Sequence, residues 1–413
     1  MKPTVLLPLA GIFLLPSGTI SHAAEPGADR LLAFGCDLYR LHAARTQAAE
    51  SVAFSPVNLA QVLDLLAQVS AGDTRSQLAA ALHYPAGDAL PLPAASAFPA
   101  PAADSGLILT QATGLWPAKN FTLTDGTAAR LEEKFHAALS PLDFNDAPAA
   151  MKTINAWAGE RTAGKITQLL PGGVLNKDTR MVAASALLFQ GKWVQPFDPA
   201  LTKSETFTTA GGAKIKTPLM HLTLAAPYVQ WPDGTQALEL AFAGGPLSLL
   251  VLLPPAEKGG LPALEARLTP DFLAAVHGRL KKQAVQVKLP KFTLQASLPA
   301  EPLMKALGAG DLFSNADFSP LSPEPDLAVG ALLHQATFTC DESGAEASAA
   351  SAAVIVAKSA RPAPPPQFKA DRPFVFAVIH RETLDPLLMG RCARPESGAA
   401  SKPEAKPKAK KGK

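Results

Sequence analysis

Residues 336–374 read ATFTCDESGAEASAASAAVIVAKSARPAPPPQFKADRPF, and the fold turns on this stretch. Ala336 to Cys340 alternates Phe338 with polar neighbours, a strand pattern. Phe374-Val375-Phe376-Ala377-Val378-Ile379 is an apolar run that predicts a buried strand. Between them, Gly344 to Ala357 holds mostly Ala, Ser and small β-branched residues, with one charge at Glu346. It has too few large side chains for a core of its own, and it lacks the polarity of an ordinary disordered linker. Read as a strand, it puts Ala345, Ala347, Ala349, Ser351, Ala353 and Ile355 on one small face that could enter a gap between existing strands. Two readings stay open on composition: a flexible Ala-rich linker, and a segment exposed in one state and inserted as a central strand in another.

The flanks carry a resemblance. Glu342-Ser343-Gly344-Ala345-Glu346-Ala347 resembles the proximal hinge of the serpin reactive loop, and Phe368-Lys369-Ala370-Asp371-Arg372-Pro373-Phe374-Val375-Phe376 resembles the serpin signature after it. Leu388-Met389-Gly390-Arg391 resembles the closing strand of that family, here a bacterial-type secreted member. The resemblance covers roughly residues 29–395. It implies an α+β serpin fold: a large mixed sheet with covering helices, and a mobile reactive loop over about 342–367 that can insert as a strand. It also implies a serine-type endopeptidase inhibitor that acts as a suicide substrate, not an enzyme. The hinge would be Glu342, Gly344, Ala345, Glu346, Ala347 and Ala349. The family usually has Thr or Ser at 345, and Ala is small enough to be tolerated there. Ser55, Asn58, Ser185 and His334 match the polar cluster under the central strands, and Trp193 matches a tryptophan near the loop's entry point. The family usually has Ser at 58 and Asn at 185, so the two are exchanged here. The exchange is expected to keep one hydrogen-bonded pair with donor and acceptor sides traded, which would make Asn58→Ser destabilising.

The 413 residues allow one large or two to three ordinary domains, and 47% hydrophobic content is ample for a sizeable core. A net charge of +3 argues against a nucleic-acid binder, and its excess is terminal, in Lys402, Lys406, Lys408, Lys410, Lys411 and Lys413. The tail at 396–413 has no apolar anchor and reads as disordered, with at most a weak polyanion contact. Cys36, Cys340 and Cys392 form no disulfide framework and no CxxC pair; they read as core residues, with one bridge left open. Neither cofactor nor metal is expected. Residues 1–24 read as a secretory signal: Lys2, an apolar run from Val5 to Leu15, and small residues at Ser21 to Ala24. That run is too short for a membrane span, so a secreted or periplasmic protein, monomeric, is expected.

Along the chain, helices are predicted over Arg30–Ala44, from Ser55-Pro56 to Gly72, from Asp73 onward, from Thr124 or Asp125 to Ala138, over Ala147–Ile166, and around 262–280 and 300–307. Prolines at 85, 91, 93, 99 and 101 forbid a long helix over 84–105, where many serpins carry a helix that is sometimes basic, so that mode of polyanion control is not expected here. Strands are predicted over Leu107–Leu115 and Met181–Trp193 and at 219–230, 236–242, 247–253 and 285–295. Helices first and strands later, without βαβ alternation, give α+β.

A trypsin-like protease needs Lys or Arg before the bond it cuts. Arg361 is followed by Pro362, whose ring and missing N–H make a poor leaving residue. Lys358 is followed by the permissive Ser359, and it is the 17th residue counted from Glu342, where serpins commonly place the bait. Lys358-Ser359 is therefore the expected reactive bond. Cleavage near Val356 by elastase-like or cysteine proteases is the alternative, as is a non-inhibitory serpin acting as a binding protein. No GxSxG, SxxK, HExxH, P-loop or GxGxxG motif supports an enzyme.

Overall fold

The structure, a computed structural model, describes residues 29–85, 98, 105–135, 138–256, 259–324, 327–344 and 364–396. The first half is helical. It holds α1 (Arg30–Arg45), β1 (Val52–Phe54), α2 (Pro56–Gln68), α3 (Gly72–Ala81), β2 (Leu107–Pro117), α4 (Thr127–Phe135), β3 (Ala138–Leu139) and α5 (Ala147–Arg161). Strands then dominate: β4 (Met181–Gly191), β5 (Lys203–Thr208), β6 (Lys214–Gln230), β7 (Gln236–Ala241) and β8 (Leu247–Leu253). After α6 (Gly260–Ala266) and α7 (Pro270–Arg279) come β9 (Lys281–Pro290), β10 (Phe292–Leu298), α8 (Ala300–Ala306) and β11 (Ala331–Cys340). The chain closes with β12 (Gln367–Lys369), β13 (Phe374–His380) and β14 (Pro386–Cys392).

Two sheets carry the fold. One has nine strands, in the order β1-β14-β13-β8-β7-β6-β9-β12 with β5 added on β6. The other has five, in the order β10-β11-β4-β2-β3. Helix α2 is buried from Pro56 to Ala67 and takes Asn58, Gln61 and Asp64 into the core with its apolar residues. Ser55 caps it by accepting the Asn58 N–H, with Pro56 at the first position. Phenylalanines join the two sheets: Phe338 stacks on Phe376 at 5.2 Å, and Phe292 lies 5.8 Å from Phe374. The closing strand is tied to the helices by Arg391, whose Nη1 meets Glu265 Oε1 at 2.9 Å while Nε donates to Glu50 O. Helix α5 lies over the other face of the five-stranded sheet, with Trp157 edge-on to Trp116 at 4.9 Å.

The α+β architecture matches the expectation, and several boundaries move. Helix α4 starts at Thr127 because Gly126 takes a left-handed φ of +75°. Helix α5 stops at Arg161, where Ala163 and Gly164 turn left-handed and Thr162 Oγ1 accepts the Ile166 N–H. The strand expected at 285–295 is two, broken at Lys291 after Pro290, and the helix at 262–280 is two, broken before Pro270. All three cysteines are buried and free, so the bridge left open does not form. Burial pushes the Cys36 thiol up to about 12 and raises those of Cys340 and Cys392 as well. Among the described residues no helix is long and apolar enough to cross a membrane, and no group of His, Cys, Asp and Glu could hold a metal ion. Residues 1–28, which include the segment expected to be a signal, the Pro-rich stretch at 86–97 and 99–104, and the tail from 397 lie outside the described residues.

Candidate functional site

The site is the seam between β4 and β11 and the turn that crosses its upper end. The two strands run parallel, paired from Ala331↔Val182 to Phe338↔Phe189. Their outer neighbours β2 and β10 run antiparallel to them. A chain that leaves β11 and turns back runs antiparallel to β11, and therefore also to β4. Inserted at the seam, it would replace one slanted parallel ladder with two antiparallel ladders, the more stable kind per residue.

The chain makes that turn. Beyond Cys340 it crosses toward the end of β4: the Trp193 N–H donates to Ser343 O at 3.2 Å, and the Phe197 N–H donates to Glu342 O at 2.8 Å. The Trp193 indole N–H donates to Asp341 O at 2.9 Å, and its ring stacks on Phe242 at 4.5 Å. Gly344 has φ +75°, and a Cβ there would sit 2.3 Å from Gly191 O and 2.5 Å from Trp193 N. Only glycine fits both the dihedral and the backbone beside it.

Glu342 fixes the turn electrostatically. Its Oε2 meets Lys291 Nζ at 2.6 Å, and its Oε1 accepts from Thr202 Oγ1 at 2.9 Å. Burial pushes the carboxyl up, but the Lys291 bond, a backbone N–H and Thr202 outweigh it and hold it below its ordinary value. The chain's return is fixed in the same way. At β12, Lys369 Nζ lies 3.2 Å from Glu205 Oε2, and Lys288 Nζ lies 2.8 Å from Glu205 Oε1. The bond from Lys288, with help from Lys369, holds the Glu205 carboxyl down at about 2. Both ends of the loop are thus pinned to the same two neighbouring segments, 202–205 and 288–291.

Beneath the seam lies the polar group. His334 is buried, and burial lowers its ring to about 3, so it is neutral. Its Nε2 accepts the Ser55 N–H at 2.9 Å. The other nitrogen, Nδ1, then carries the proton and donates to Ser185 Oγ at 2.8 Å. Ser185 is the register partner of His334 on the facing strand, so this bond crosses the seam. The expected Asn58–Ser185 pair is not formed. Ser185, placed directly opposite His334, spends its hydroxyl there, and the buried Asn58 amide has no partner among the described residues. The bond on which the expected destabilisation by Asn58→Ser rested is therefore not made.

The structure therefore brings Ser55, Asn58, Ser185 and His334 together under the seam, and Trp193, Glu342 and Gly344 at its mouth. The reactive-bond residues Lys358 and Ser359 and the hinge residues Ala345, Glu346, Ala347 and Ala349 lie outside the described residues. Lys291, Thr202, Phe197, Glu205 and Lys369 were missed as site residues. The contacts that place them at the site, to Glu342 and among Glu205, Lys288 and Lys369, span 51 residues or more, and no local pattern announces them.

Comparison with known proteins agrees with this geometry. The family model described as Serpin (serine protease inhibitor) matches residues 29–395. The leukocyte elastase inhibitor of Bos taurus is 32% identical, covering 88% of this chain and 97% of that protein. Plasminogen activator inhibitor 1 of Bos taurus is 28% identical, covering 96% of this chain and all of that protein (100%). Among solved structures, human thyroxine-binding globulin superposes with a TM-score of 0.78 at 23% identity, covering 89% of this chain and 98% of that one. With a five-stranded sheet whose parallel seam is crossed by a glycine-hinged turn, and a family match over its whole folded length, the chain belongs to the serpin family.

Proposed function

We propose that the chain inhibits serine proteases as a suicide substrate, cut at Lys358-Ser359 by trypsin-like enzymes. The observation that carries this is the turn at 341–344, which delivers the chain from the end of β11 to the end of β4 across a parallel seam. The protease serine attacks the Lys358 carbonyl, the Ser359 amine leaves, and an acyl-enzyme forms. The freed segment then enters the seam as a strand. About 17 residues at ~3.3 Å each span ~55 Å, so the attached enzyme is carried along the sheet and its active site distorted before water can release it. The small side chains from Ala345 to Ala353 suit rapid entry.

The trypsin-like preference rests on Lys358, and cleavage near Val356 would move the target toward elastase-like or cysteine proteases. Export to the cell exterior or periplasm as a monomer, with weak polyanion contact through the Lys-rich tail, belongs to the same proposal.

Incubation with trypsin is expected to give a complex that survives SDS and boiling, with a released C-terminal peptide beginning at Ser359. Lys358→Ala should lower the yield with trypsin at least about a hundredfold, since an emptied charged pocket forfeits roughly 3 kcal/mol or more. Clean cleavage without a complex would defeat inhibition and leave a substrate or a binding protein of the same fold. A peptide starting elsewhere would move the reactive bond.

A further inference from the structure

Among the described residues, ten buried side-chain nitrogen or oxygen atoms lack a hydrogen-bond partner, and four of them gather at the β4/β11 seam. Gln335 Oε1 and Thr337 Oγ1 lie on β11, on the face opposite His334. The other two are the amide oxygen and nitrogen of Asn58, a residue whose backbone is linked to His334 through Ser55. Asn58 is the third residue of α2 and fully buried. Its backbone N–H donates to Ser55 Oγ, and the Ser55 N–H donates to His334 Nε2. Through Ser55 the backbone of Asn58 is thus linked to His334, which makes, among the described residues, the one side-chain bond that crosses the seam.

That bond has to break when the strands part, because Ser185 and His334 face each other across them. Parting leaves one donor, the Nδ1–H of His334, and one acceptor, Ser185 Oγ. Asn58 carries the complement of each: an unpaired amide oxygen and an unpaired amide N–H. While the seam is closed the amide is buried without a partner, which is destabilising. When the seam opens, a partner of matching kind is set free on the strands against which α2 and its cap pack. A group that is poorly satisfied in one state and satisfied in the other biases the equilibrium between them.

We propose that Asn58 takes up the partner that the Ser185–His334 pair releases, weakening the closed seam and easing its opening. The inference rests on the insertion reading above and deepens it. Asn58 is a positioning residue that sets how fast the strand enters relative to hydrolysis of the acyl-enzyme.

The test compares intact and loop-nicked forms of Asn58→Ser and Asn58→Ala with the wild type. A serine at this position can bond back to a carbonyl one turn earlier and brings no unpaired amide. Intact Asn58→Ser is expected to melt several degrees higher than the intact wild type, whereas nicked Asn58→Ser melts lower than the nicked wild type, because the His334 N–H freed by the open seam has lost its acceptor. The number of inhibitor molecules consumed per protease trapped should rise about fivefold or more, the lower end of what one partnerless buried hydrogen-bonding group represents. Ser185→Ala, by contrast, should lower the intact melting temperature, because it strands the His334 N–H. A purely structural role for Asn58 would shift intact and nicked forms together. That result, a lower melting temperature for intact Asn58→Ser, or failure of both Asn58 variants to fold would overturn the proposal. If the wild type traps no protease, the inhibition reading fails, and the melting pair, with the loop nicked by any protease that cuts it, still decides the role of Asn58.

Discussion

Ala347→Arg is expected to convert the protein from an inhibitor into a substrate. The sequence puts Ala347 on the small face shared with Ala345 and Ala349. The seam it would enter is lined on the core side by Leu187, Phe189, Ala336 and Phe338, each no more than 1% exposed. A guanidinium driven between them finds no carboxylate, and the described residues supply none on those strands. Burying an unpaired charge costs several kcal/mol even after relaxation. A barrier raised by about 3 kcal/mol slows a step roughly a hundredfold, since each 1.36 kcal/mol is a factor of ten. Hydrolysis of the acyl-enzyme then wins. On a gel the SDS-stable complex should vanish while cleavage at Lys358 proceeds at its former rate. An undiminished complex would mean that residue 347 never enters the sheet.

The second large effect is thermal. Nicking the loop with trace protease should raise the melting temperature by roughly 13 °C. A new central strand bonds along both edges, and each ladder bond contributes ~1 kcal/mol net, so a dozen or more residues supply on the order of 10 kcal/mol. Spread over the unfolding entropy of a domain this long, ~2 cal/mol/K per residue, that energy corresponds to the stated shift. The seam adds to it if strand entry supplies partners for the Asn58 amide, Gln335 Oε1 and Thr337 Oγ1, which have none among the described residues of the intact form. A nicked protein that melts no higher than the intact one would show that no such energy is stored.

Much of this was legible in the residues. Ser55-Pro56 announces a helix start, and the structure caps it with the hydroxyl, whereas the same signal at Thr269-Pro270 went unread and splits the helix expected at 262–280. Apolar runs at Met181, Leu247 and Phe374 gave buried strands because a strand covered on both faces has no alternation to lose. Short pieces escaped: β1 and β12 have three residues each and owe their existence to β14 and β9. At the site, Glu342 and Gly344 could be read locally as a hinge, whereas Lys291 and Thr202 could not, because only the folded chain brings them to the Glu342 carboxylate. The exchange of Asn and Ser between 58 and 185 was visible, but its consequence was not. Which of the two reaches His334 is decided by strand register, and register put Ser185 opposite it.

The central claim is that the chain beyond Gly344 enters between β4 and β11. A crystal structure of the loop-nicked protein tests it most directly. The expected result is a six-stranded sheet in which a new strand runs antiparallel to both β4 and β11 and Ser185 Oγ has moved beyond hydrogen-bonding distance of His334. Strands β4 and β11 still paired from Ala331↔Val182 to Phe338↔Phe189, with the Ser185–His334 bond intact, would contradict it.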